Sequence, residues 1–200
     1  MQFLDAPEHR VIDALPGPRV STSAGAAFPA ALTALLPFQA PWTRMLTAQV
    51  GAWTALVNNS FNGGDMTAPG PAIARELGVR CLLAEHAPRY GPGHAATQLE
   101  VLGPDGEPPL MYVRSLSATA ADSRWEWYES GTPFPFEQTE RYSARRKRDR
   151  FDRPMLLEYL SALGVPVEDD AYGQATLHQE QVTWATREVT LAEAAAVFAR

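Results

Sequence analysis

The sequence predicts an α+β protein, a single domain in which an antiparallel meander sheet is packed by three to four short helices. Three observations carry that expectation. Apolar and polar residues alternate through 98–102 and 123–129, and the first of these meets 110–117 across a Gly/Pro-containing turn, the pattern of half-buried strands in a hairpin-linked sheet. Leu156, Tyr159, Leu160 and Leu163 recur at i, i+3, i+4 and i+7, the period of one helix face. A chain of 200 residues at 46% hydrophobic composition fills one core without requiring a second.

Taken in order, residues 1–27 mix Pro, Gly, Ser and Ala and read as a loose N-terminal arm, leaving 28–200 as the α+β domain. Phe28, Leu32, Leu35 and Leu36 form a short amphipathic helix stopped by Pro37. Residues 43–49 and 52–58, rich in Thr, Val and Trp, flank Gly51 as neighbouring strands. The loop from Asn58 to Asp65 then leads into a helix over 72–77, opened by Pro71 and closed by Gly78. Residues 79–85 form a buried strand containing Cys81. The strands at 98–102 and 110–117 pair across the turn Gly103-Pro104-Asp105-Gly106. Residues 123–129 extend that sheet with Trp125 and Trp127 on one face. The helix ending at Gly164 starts at the cap Asp152 with Pro154 in its first turn. Strands at 174–182 and 184–189 precede a last helix opened by the capping box Thr190 to Glu193.

Charge is divided unevenly along the chain. Net charge is −6, yet the run from Arg141 to Arg153 holds seven of the 17 basic residues and two of the 23 acidic ones. It therefore carries about +5 inside a body of about −11. Lys147 is the only lysine, so arginine is the default cation here, and with abundant Ala, Pro and Gly this usage points to a GC-rich, bacterial genome. The acidic total argues against nucleic acid as a partner. A single cysteine excludes an internal disulfide and suits a reducing compartment. No apolar run reaches membrane-spanning length, and the N-terminus lacks a basic-then-apolar signal pattern, so the expectation is a cytoplasmic protein with no membrane partner.

Chemistry-bearing motifs are sparse. The glycines after Asn58 match neither phosphate-binding fingerprint. No serine lies in a nucleophile elbow, and Cys81 in its apolar strand is a poor nucleophile. His86 and His94 flank a Pro/Gly-rich loop, but that spacing does not define a metal site, and His9 and His178 are isolated. Neither a cofactor nor a metal is expected. The aromatic group Trp127, Tyr128, Phe134 and Phe136 lies beside the cations Arg145, Arg146, Lys147, Arg148 and Arg150. Alternate prolines in 131–138 tend to display rings, and cations before the Asp152 cap oppose the helix dipole. Together these residues form the expected partner-binding surface. The opposing expectation for the run is a solvated loop paired with neighbouring acids such as Glu137, Asp149 and Asp152.

In size, acidity and lack of catalytic motifs the chain resembles the small immunity proteins that neutralise bacterial toxins, a likeness of overall character that rests on no motif. It implies a binding module of immunity or inhibitor type whose partner is another protein, a toxin or a mobile-element protein. The alternative is a small hydrolase-like enzyme using the Asn58 to Asp65 loop, with Asp65 as acid/base, His86 or His94 beside it and Arg114 holding an anion.

Overall fold

Nine strands form one sheet in a computed structural model that describes residues 1–60, 69–88, 95–121, 124–190, 192, 193 and 196. In chain order they are β1 (Gln2–Leu4), β2 (Arg19–Ala27), β4 (Arg44–Val50), β5 (Trp53–Asn58), β6 (Cys81–Ala87), β7 (Ala95–Glu107), β8 (Tyr112–Ala121), β9 (Arg124–Gly131) and β10 (Gln174–Glu180). Across the sheet the order is β2-β10-β4-β5-β1-β6-β7-β8-β9, and every pairing is antiparallel. A two-stranded sheet joins β3 (Phe38–Ala40) to β11 (Arg187–Val189). Among the described residues the α-helices with defined bounds are α1 (Glu8–Asp13), α2 (Gly70–Leu77) and α3 (Arg153–Ala162), joined by 3-10 segments such as Ala30–Leu35. The protein is thus a mixed α+β chain dominated by antiparallel sheet, and none of its described helices is long and apolar enough to cross a membrane.

Alternation along the strands divides the core between two faces. Phe3, Trp53, Leu82, Leu99 and Leu116 pack on one face with Met155, Leu156, Tyr159 and Leu160 of α3. Leu4, Met45, Leu56 and Leu83 pack on the other with Val11 of α1 and with Ile73 and Ala74 of α2. Cys81 belongs to this second cluster and is fully buried, which pushes its thiol up to about 12. Local signals set the element ends. Gly51, at φ 58°, makes the two-residue reversal between β4 and β5, and Gly78, at φ 65°, ends α2 in the left-handed conformation that glycine accepts without strain.

Three expectations are corrected. Residues 1–27 are no loose arm: β1 lies between β5 and β6, Leu4 is fully buried, and β2 pairs with β10. A three-residue strand is too short to show a period, and β2 is a Ser/Ala-rich edge strand with little apolar alternation. The chain reversal of the β7–β8 hairpin falls at 108–111, not at Gly103-Pro104-Asp105-Gly106. Tyr112 pairs with both Leu102 and Glu107, so 103–106 bulge out of register. The expected helix over 28–36 is a 3-10 segment, with Leu32 and Leu36 exposed. The capping box does form, Thr190 and Glu193 exchanging hydrogen bonds, but most of the helix expected after it lies outside the described residues.

Candidate functional site

The expected binding segment begins on β9, an edge strand. Period 2 turns Trp125 and Trp127 onto the α3 face and Arg124, Glu126 and Tyr128 onto the other. Trp127 is half-buried with its ring 5.1 Å from that of Tyr142, whereas Tyr128 is 59% exposed. These two candidates therefore do not share a surface.

Beyond β9 the chain is held by a buried ionic network. Gly131 adopts φ 81°, and a Cβ there would lie 2.1 Å from the Val113 carbonyl oxygen, so only glycine fits. Arg114 of β8 donates through Nε to Glu137 Oε1 at 3.0 Å and through Nη2 to Glu137 Oε2 at 2.7 Å. Its Nη2 also reaches Glu129 at 3.0 Å, and Nη1 reaches the carbonyls of Ser130 and Gly131 at 3.0 Å each. All five guanidinium donors have partners, and both side chains of the Arg114–Glu137 pair are 1% exposed. Burial alone would lower the Arg114 pKa, but its bonds to Glu137 and Glu129 outweigh that and raise it. Glu137 also accepts from the Phe134 N–H at 2.9 Å and the Tyr142 hydroxyl at 2.8 Å. Tyr142 lies 3.0 Å from the Tyr159 hydroxyl, which accepts the Gln138 N–H at 2.7 Å.

That network decides where Phe134 and Phe136 go. Expected as displayed rings, both are half-buried: they stack at 5.2 Å, and Phe136 meets Tyr159 edge-on at 5.5 Å. Pro133 and Pro135 are themselves exposed, but the rings that follow them are not, because Glu137 draws the segment inward onto Arg114. An acid between aromatic residues gave no sign in the sequence of being buried.

The basic run folds as the 3-10 segments Thr139–Ser143 and Lys147–Asp149, the second packed against β9. Arg141 donates to the Asp149 carbonyl and to Asp152, both at 3.1 Å, and Arg150 to the Ala144 carbonyl at 2.9 Å. Asp152 also caps α3, accepting the Met155 N–H at 3.1 Å. These contacts fix both ends of the turn. Between them Arg145, Arg146, Lys147 and Arg148 are exposed. Arg146 and Arg148 approach Asp149, at 2.5 and 3.5 Å; Arg145 and Lys147 meet no carboxylate among the described residues. Arg150 is half-buried and belongs to the mount, not to the exposed group.

Of the residues named in the enzyme alternative, those described hold structural contacts. Asn59 is fully buried, accepting the N–H groups of Thr43 and Arg44 at 2.9 Å and donating to the Pro37 carbonyl at 3.0 Å. Arg114 has no donor left for an anion. His86 lies 3.1 Å from the Thr97 hydroxyl, and Asp65 and His94 lie outside the described residues. Among the described residues no group of His, Cys, Asp and Glu side chains is gathered to hold a metal. A cleft of ≈ 370 Å³ between α2 and the β7–β8 hairpin is lined by Ala74, Arg75, Val79, Leu102, Leu110 and Met111, none of them an expected site residue. Comparison with protein-family models, with curated proteins and with solved structures finds no match to the chain.

Proposed function

We propose that the protein is a protein-binding module, of the immunity or inhibitor type, that offers the turn Arg145-Arg146-Lys147-Arg148 to an acidic patch on another protein. The observation that supports this reading is the excess of cations on a fixed mount. Of four exposed basic side chains, only Arg146 and Arg148 approach a carboxylate among the described residues, that of Asp149, while Arg141, Arg150 and Asp152 hold the turn in place. A pre-formed turn loses little freedom on binding, and guanidinium forks match carboxylates. The acidic remainder repels acidic surfaces elsewhere and so favours a single docking orientation. Tyr128, on the opposite face of β9, is available to a partner that wraps the sheet edge.

Capture from a bacterial lysate at low and high salt, with wild type and an R145A/R146A/R148A variant in parallel, tests the proposal. One stoichiometric protein should be retained at low salt, released by high salt and lost with the variant. Equal capture by the variant would overturn the assignment of the turn.

A further inference from the structure

At the opposite edge of the sheet, four side chains form a continuous hydrogen-bonded line. Ser21 Oγ of β2 lies 2.8 Å from His178 Nδ1, His178 Nε2 of β10 lies 2.9 Å from Thr47 Oγ1 of β4, and Thr47 Oγ1 lies 2.6 Å from Glu8 Oε1 of α1. The direction of the protons along it follows from valence. An ionised carboxylate only accepts, so the single Thr47 hydroxyl proton points at Glu8. Thr47 must then accept from His178, which puts the ring proton on Nε2 and leaves Nδ1 as an acceptor. Ser21 is left as the donor to Nδ1.

This arrangement has the parts of an activated nucleophile: a hydroxyl, a base within hydrogen-bond reach, and a third group that orients the base. His178 and Thr47 are both fully buried, while Ser21 is exposed. Burial, aided by the nearby Arg19 cation, lowers His178 to about 4, so the ring is unprotonated at neutral pH. Sheet stability does not require such a line, since an apolar side chain at 178 would avoid burying an imidazole. Ser21 is also reachable, because among the described residues no strand pairs with the outer edge of β2.

We propose that Ser21 is a nucleophile, with His178 Nδ1 as its general base, that accepts acyl groups from small activated esters. In the forward step Ser21 Oγ bonds to the carbonyl carbon, the ester C–O bond breaks, and the serine proton passes through His178 to the leaving alkoxide. Water then attacks the acyl-serine, returns a proton to Ser21 by the same route and releases the acid. Thr47 and Glu8 are positioning residues: they fix the tautomer and stabilise the imidazolium that forms in each step. This site is separate from the cationic turn and does not rest on the binding assignment.

Two probes test it, p-nitrophenyl acetate and a fluorophosphonate. The expected results are a nitrophenolate burst of one equivalent per chain and a single fluorophosphonate adduct that maps to Ser21, both absent in Ser21→Ala. Thr47→Val should slow labelling by roughly 10²-fold, the ordinary contribution of a positioned base, while Thr47→Ser, which restores the hydroxyl, should recover it. Glu8→Gln keeps an acceptor for Thr47 but removes the charge, and should slow labelling without loss of fold. The absence of burst and adduct, an adduct that persists in Ser21→Ala, or equal rates for Thr47→Val and Thr47→Ser would each overturn the proposal.

Discussion

At the scale of single residues, Arg114 and His178 are two buried groups whose chemistry has measurable consequences. Removing Arg114 leaves Glu137 without its bidentate partner in a dry site, and loss of one member of a buried pair typically costs about 3–5 kcal/mol. Arg114→Ala should lower stability by that amount in urea denaturation. His178 gives the opposite kind of test, because folding holds its pKa at about 4, below the ordinary 6.5. The unfolded chain takes up a proton that the folded one refuses, so stability is complete above pH 6.5 and falls as pH drops towards 4. The full loss is roughly 3 kcal/mol. Unfolding measured at pH 7 and pH 5 should show that slope in wild type, and His178→Gln should abolish it. Neither role was legible in the sequence. Arg114 is one of 16 arginines in a strand with ordinary alternation, and His178 stood alone because Ser21, Thr47 and Glu8 lie far from it along the chain.

At the scale of elements, local chemistry predicted local structure well. Gly51, Gly78 and Asp152 occupy the turn, stop and cap their residue types indicated, since those conformations depend on a few neighbouring backbone groups. Asp152 has a second task, because its other carboxylate oxygen holds Arg141. Asp152→Ala should therefore cost about 1 kcal/mol as a lost helix cap and, in addition, raise amide exchange across 141–150. Gly131→Ala should be far more disruptive than an ordinary strand substitution, since its Cβ would meet the Val113 carbonyl oxygen. Circular dichroism and denaturant midpoints compare the two directly. Sequence reasoning misjudged the 131–138 loop and the β7–β8 reversal because both depend on contacts across strands. Glu137 pulls Phe134 and Phe136 inward, and close approach to Met111 admits only glycine at 106.

Over the whole molecule, the charge division was legible and the strand order was not. The sum of charges needs no structure, whereas the placement of β1 at the sheet centre and of β10 between β2 and β4 depends on partners far away in the chain. The two sheet edges also differ in kind. β9 carries Arg124, Glu126 and Glu129 and is flanked by the cationic turn, which discourages strand-to-strand association. β2 carries Arg19 alone among its nine residues. Binding through the turn should weaken steeply with salt because its cations are solvated, and a titration of captured partner between low and high ionic strength measures this. The proposed acyl chemistry at Ser21, driven by buried groups, should be nearly indifferent to the same change.

The position of β10 also sets a timetable for synthesis. Strands β4 and β2 leave the ribosome with their pairing edges bare, and they wait until residues 174–180 have emerged before the strand that belongs between them exists. Through that interval Leu46 and Ala48, fully buried in the finished protein, lack their β10 neighbour, while the strands from β6 to β9 can already pair with one another. A nascent chain arrested after Gly173 is accordingly a protein with one finished flank and one adhesive flank.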